Sequence, residues 1–294
     1  MTTMHQQERS DVGDSLTSTL IDRIDHVDLR VRDIERALGF YRDVAGLEVR
    51  EQGPYSAALS APGGTAIINL VSEGVDAPAD RNGPGLYHTA IRYRDRKSLA
   101  NALARLVEAG YRIGASDHGV SEALYVDDPD GNGVELYRDR PRGQWPKPAP
   151  GEKVGMTLDP LDLHALLSDA GDGGSEGTDI GHVHLEVSDL RRTIDFYIEA
   201  LGLDLMAEYG DQAGFFSSRG YHHHLGANTW HSLSRKPATR NHAGLERIVF
   251  HVATAAELNE ARERLTESGH EVEGSESELV VNDPDGIELR FVTE

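Results

Sequence analysis

An α+β fold made of four βαβββ modules is predicted by three features of the 294-residue sequence. These are a fourfold internal repeat, strand-like alternation where each repeat begins, and a tight-turn signature before its end. HVDLRVRDIERALGFYRDVAGLEV, starting at His26, recurs as HVHLEVSDLRRTIDFYIEALGLDL from His182, an offset of 156 residues. A second pair, GLYHTAIRYRDRKSLANALARLVEAGYRI from Gly85 and GLERIVFHVATAAELNEARERLTESGHEV from Gly244, gives the order A-B-A′-B′. The two B units end in DDPDGNGVELY from Asp127 and NDPDGIELRF from Asn282.

Each element follows from its residues. Val27, Leu29 and Val31 alternate with polar residues, the pattern of a half-buried strand. Ile34, Leu38 and Tyr41 recur at helical spacing behind Asp33, a residue suited to an N-cap. Further short strands follow, and Asp-Pro-Asp-Gly makes a tight turn before the last. The predicted organisation is a polar tail over residues 1–20, a two-module domain over 21–143, a linker over 144–178 and a second two-module domain over 179–294. The linker is rich in Pro, Gly and Asp and carries one short helix in PLDLHALLSDAG.

Composition removes several function classes. With 50 acidic against 29 basic residues and a net charge of −21, the chain lacks the basic footprint that nucleic acid requires. Only four of the basic residues are lysines (Lys97, Lys147, Lys153 and Lys236), a balance that suits a high-salt habitat. No apolar run is long enough to span a membrane, and MTTMHQQERSDVGDSLTSTL has no signal-peptide pattern, so a cytoplasmic protein is expected. Cysteine is absent, so any metal must be held by His, Asp or Glu.

The H-V-x-L-x-V…F-Y…G-L frame resembles the vicinal oxygen chelate superfamily, which includes glyoxalase I, bleomycin resistance proteins and type I extradiol dioxygenases. The resemblance covers residues 22–294, and YHTAI, DHGVSEALYVDDPDGNGVELY, GHVHLEVSDL and GYHHHLGANTW are similar to the ring-cleaving, catechol-oxidising branch. It implies paired modules curled into two cup-shaped sheets with helices outside. The metal would lie in a cup, on the first strands of two modules and the last strand of one.

Within the strand from His182, Val183, Leu185 and Val187 should face the helices, which turns His182, His184 and Glu186 to the concave side. Two histidines and a carboxylate form the usual face of a non-haem Fe(II) site. His88 and Glu135, in one module, supply two of the three. The third is His26 if the first and second modules pair, or His182 if the second and third do. Arg247 rules out a complete site in the fourth module, since a guanidinium has no lone pair to offer, and an Arg247–Glu288 ion pair is expected there. The triple histidine favours the second-with-third pairing, which gathers His88, Glu135, His182 and the HHH run in one cup.

By resemblance, His223 carries acid–base chemistry, Tyr125 bonds the substrate and His118 is a second active-site histidine. Here the His118–Tyr125 spacing is two residues shorter than the family's. Strand alternation would send His222 and His224 to the face opposite His223. The function implied is extradiol cleavage of a catechol by O2 with Fe(II), or Mn(II) in its place. No nucleic-acid or membrane partner is expected; a homo-oligomer is compatible with the sequence. The alternatives are a glyoxalase-type isomerase or transferase, which uses more carboxylates, and a ligand-sequestering resistance protein, which would leave His88, Glu135 and His182 idle.

Overall fold

A computed structural model describes residues 18–293, so most of the expected polar tail lies outside the described residues. The repeat becomes four βαβββ modules. The first comprises β1 (Arg23–Arg30), α1 (Ile34–Tyr41), β2 (Glu48–Gln52), β3 (Ser56–Ser60) and β4 (Ala66–Val71). The second runs through β5 (Gly85–Arg92), α2 (Arg96–Glu108), β6 (Gly114–Asp117), β7 (Ser121–Asp127) and β8 (Gly133–Asp139). After a short linker helix, α3 (Leu163–Leu167), the third has β9 (Asp179–Glu186), α4 (Leu190–Asp195), β10 (Asp204–Tyr209), β11 (Ala213–Ser217) and β12 (Leu225–Asn228). The fourth has β13 (Gly244–His251), α5 (Ala255–Glu267), β14 (Glu273–Ser275), β15 (Glu278–Asn282) and β16 (Glu288–Val292).

The helix starts obey their residues. Asp33 caps α1 by accepting from Arg36 N–H, and its repeat counterpart Asp189 caps α4 through Arg192 N–H. Val183, Leu185 and Val187 are buried with Phe196 and Tyr197 in one core, which fixes the helix-facing side of β9.

The modules form two curled eight-stranded sheets, in the orders β14-β15-β16-β13-β1-β4-β3-β2 and β10-β11-β12-β9-β5-β8-β7-β6. The first module therefore pairs with the fourth and the second with the third. Each sheet takes one module from residues 21–143 and one from 179–294. The seams, β1 with β13 and β5 with β9, are antiparallel. Consecutive modules are tied in another way, through the shared motifs. The F-Y tyrosine of one module donates to the Asp-Pro-Asp-Gly turn of the next: Tyr41 to Asp128 (3.1 Å) and Tyr197 to Asp283 (3.3 Å). These contacts are buried, so the repeated tyrosine and aspartate satisfy each other where water cannot.

One local expectation fails. The histidine run does not lie in a strand, because β12 begins only at Leu225. His222 to His224 form the irregular approach to it, so alternation does not govern where their rings point. Among the described residues, no helix is long and apolar enough to cross a membrane.

Candidate metal centre

The site is built on the β5/β9 seam. Ala90 of β5 stands opposite Glu135 on parallel β8 and opposite His182 on antiparallel β9. Its methyl group leaves the space above it to its two larger neighbours, while His88, two residues earlier, shares the face. The result is a triangle. Glu135 Oε2 lies 3.0 Å from His88 Nε2 and 3.1 Å from His182 Nε2, and the two nitrogens are 3.3 Å apart. Ligands at right angles around an ion with bonds of ~2.1 Å are ~3.0 Å apart, so the three atoms suit one face of an octahedral ion. Among the described residues, this is the group whose atoms converge closely enough to hold a metal.

All three side chains are buried, at 5%, 2% and 2% exposure for His88, Glu135 and His182. Burial pushes the His182 pKa down to about 4, although Glu135 pulls it the other way. Against its own burial, Glu135 is held well below the usual carboxylate range by His182 and His88. Neutral imidazoles and an ionised carboxylate are the forms a metal needs.

Further imidazoles and a phenol surround the triangle. The His223 ring lies 4.1 Å from that of His182, and burial with the neighbouring His182 and His222 pushes its pKa well down. The His184 ring is 5.0 Å from His88, and its Nε2 accepts from Asn228 Nδ2 at 3.0 Å. Gly226 makes that ring position possible, since a Cβ there would meet His184 Nδ1 at 2.8 Å.

The Tyr125 ring sits 5.6 Å from His88, and its hydroxyl is 2.7 Å from His118 Nε2. His118 Nδ1 must donate to the Thr157 carbonyl, 2.9 Å away, because a carbonyl can only accept. In the neutral ring His118 Nε2 is then the acceptor of the Tyr125 proton. A cavity of about 400 Å³ reaches His88 and Tyr125 and is also lined by Tyr87, Gly133, Arg81 and Arg112. That is the size of a small-molecule site.

Residues 23–136 and 179–291 match the model of the Glyoxalase/Bleomycin resistance protein/Dioxygenase superfamily. The chain belongs to this superfamily. Within it, the chain is similar to the catechol-2,3-dioxygenase of Bacillus subtilis (strain 168), at 40% identity over 277 residues, 92% of this chain and 96% of that protein. It is a catechol-2,3-dioxygenase-like member. Among solved structures, a provisionally assigned dioxygenase of Bacillus subtilis subsp. subtilis str. 168 shares the fold at 15% identity and a TM-score of 0.64, over 94% of this chain and 86% of that one. Glyoxalase I of Zea mays shares it at 18% identity and a TM-score of 0.55, over 92% of each chain.

The structure places the expected residues in two groups. His88, Glu135, His182, His223, Tyr125 and His118 all gather around the β5/β9 cup. His26 does not: it lies in the other sheet, with Nδ1 2.8 Å from Asp25. In that sheet Arg247 pairs with Glu288 at 3.3 Å and with Asp28 at 3.0 Å.

The alternation expected for the histidine run is corrected. His222 is not on the face opposite His223, since their Nδ1 atoms are 2.8 Å apart. Only His224 turns away, its Nδ1 accepting from Ser218 N–H at 3.3 Å and lying 2.9 Å from Ser217 Oγ. Sequence reasoning missed Asp139, which binds His222 Nε2 at 2.8 Å, and Thr157, which a loose linker was not expected to supply.

His224 gives the superfamily member an acid sensitivity. Burial, then the nearby His222 and Arg92, push its pKa down to about 3, against ~6.5 in an unfolded chain. Between those values the unfolded state binds the proton and the folded state does not. Stability should therefore fall as the pH is lowered from ~6.5 towards 3. Urea midpoints measured across this range should fall more shallowly for His224→Gln than for the natural chain; equal slopes would remove His224 from the account.

Proposed function

We propose that this chain carries out extradiol cleavage of a catechol-type aromatic diol by O2, with Fe(II), or Mn(II) in its place, held by His88, Glu135 and His182. The observation that carries the reading is the buried His–His–Glu triangle with the His223 ring packed against His182 and the Tyr125 ring against His88. The likeness to the Bacillus subtilis catechol-2,3-dioxygenase supports the same choice. When bound, the metal supplies Lewis acidity that lowers the pKa of a chelated hydroxyl, and a path for electrons from the ring to O2. Both oxygen atoms enter the product, so no outside reductant is needed.

The chain's own groups handle position and protons. His88, Glu135 and His182 would hold the metal through one oxygen and two nitrogens, and the catechol's vicinal oxygens would complete its binding. His223, kept neutral by burial, takes the proton of the second catechol hydroxyl and returns it to the opened product. Tyr125 is held by His118, whose ring is fixed in turn by Thr157. Burial and the Glu135 carboxylate raise the Tyr125 pKa well above its ordinary value, so it remains a phenol, its proton directed to His118 and its oxygen left to accept from the substrate. The rings of Tyr87, Phe215 and Trp230 pack around His184. A glyoxalase-type site would call for more carboxylates; here imidazoles take the positions around the triangle.

Reconstitution with Fe(II) under nitrogen, then addition of catechol and air, should consume one O2 per catechol; a fully metal-loaded protein that takes up none would overturn the reading. Glu135→Ala should lose the metal, whereas Glu288→Ala should keep it because Arg247 blocks that position. Metal analysis showing the reverse would sink the ligand assignment. His223→Ala should retain metal and bind catechol, yet turn over ~10²–10⁴-fold more slowly, the usual contribution of a positioned proton-transfer group. Near-normal turnover would reduce His223 to a wall of the cup.

A further inference from the structure

Next to the proposed acid–base residue runs a chain of polar groups that leads from buried imidazoles to a partly buried carboxylate. His223 Nδ1 lies 2.8 Å from His222 Nδ1, and His222 Nε2 lies 2.8 Å from Asp139 Oδ1. The other oxygen of Asp139 accepts from Arg92 Nη1 and from the Tyr221 hydroxyl, each at 3.0 Å. Arg92 is anchored by two bonds to Asp179, its partner across the β5/β9 seam, at 2.9 and 2.6 Å. Tyr221 receives a 2.7 Å contact from the Tyr137 hydroxyl. Gly181 leaves room for that pair, since a Cβ there would sit 1.7 Å from Tyr137 Oη. Asp139 is therefore fixed in place from two sides.

We propose that Asp139 and His222 are positioning residues that fix the tautomer of His223, keeping its proton on Nδ1 and its Nε2 bare. The hydrogen-bond inventory dictates this order. A carboxylate only accepts, so His222 Nε2 carries the hydrogen that faces Asp139. In the neutral ring, His222 Nδ1 is then a lone pair. At 2.8 Å, the hydrogen between the two Nδ1 atoms must belong to His223. His223 Nε2 is left without a protein partner among the described residues, free to accept a proton. The inference rests on the dioxygenase reading only for which proton that is.

Asp139→Asn should reverse the chain without changing its shape. Arg92 has donors only, so the new amide must turn its oxygen to Arg92 and Tyr221 and its NH2 to His222. His222 Nε2 must then be bare, its Nδ1 protonated, and the His223 proton forced onto Nε2. A base in the wrong tautomer cannot take a proton, and in a serine protease triad the matching change has a cost of ~10⁴ in kcat.

The test is a long-range ¹H–¹⁵N spectrum of the full chain without metal, labelled in histidine, with signals assigned by their loss in His222→Gln and His223→Gln. It should show His223 protonated on Nδ1 and His222 on Nε2, and Asp139→Asn should exchange both. With iron restored, Asp139→Asn should lower kcat for catechol by ~10²–10⁴-fold with little change in KM, and Asp139→Glu should recover much of the loss. A His223 proton on Nε2, a doubly protonated His222, or tautomers unchanged by Asp139→Asn would overturn the proposal. The natural chain's spectrum decides the tautomer even where a variant fails to fold. Correct tautomers in a chain that consumes no O2 would instead count against the dioxygenase reading.

Discussion

The antiparallel register of β5 against β9 is the constraint on which the rest depends. It sets His182 opposite Ala90 while the parallel pairing of β5 with β8 sets Glu135 opposite the same alanine. Three strands from two modules thus deliver one donor each to a single point. A slip of one residue in either pairing would turn a donor to the helix-packed face, where Val183 and Leu185 now sit. The same seam anchors the second layer of the site at its far end, where Arg92 pairs with Asp179 and holds Asp139. Metal triangle and histidine chain are therefore two outputs of one register.

The other sheet shows what the scaffold does without that chemistry. Its seam joins β1 to β13, and the position matching His88 in the repeat is Arg247. A guanidinium has five donors and no acceptor, so it collects carboxylates: Asp28 from β1 and Glu288 from β16. Arg290 joins the same Glu288 at 3.1 Å. These partly exposed pairs add little stability each, but they fill the cup with fixed charge of both signs and leave His26 tied to Asp25. One duplicated architecture thus carries a convergent donor set in one half and an ion-pair network in the other.

The fold was legible because the repeat is dense in position-specific residues. Asp33 and Asp189 cap, Tyr41 and Tyr197 dock on turns, and alternating valines and leucines face the helices. Of the six expected site residues, His88, Glu135 and His182 were suggested by strand position and metal chemistry, whereas His223, Tyr125 and His118 were named through the family resemblance alone. The module pairing was only inferable, since nothing local in β5 states that its partner is β9 and not β1; the histidine content had to decide it. The second layer was not legible. Asp139 ends β8, reading as a surface residue after a strand, and its contact with His222 joins positions 83 apart. Thr157 reaches His118 from a linker whose composition signals only irregular chain. His222 was misplaced because a histidine run before a short strand was given strand periodicity that begins only at Leu225.

In the proposed function, the metal face among the described residues lies across the second and third modules. Metal bound per chain, measured after Fe(II) loading and removal of the excess, tests it most directly in two single variants. His182→Ala should lose the metal and His26→Ala should retain it in full. Retention by His182→Ala with loss from His26→Ala would contradict the account, for it would put the third ligand in the first module and leave the β5/β9 seam without its function.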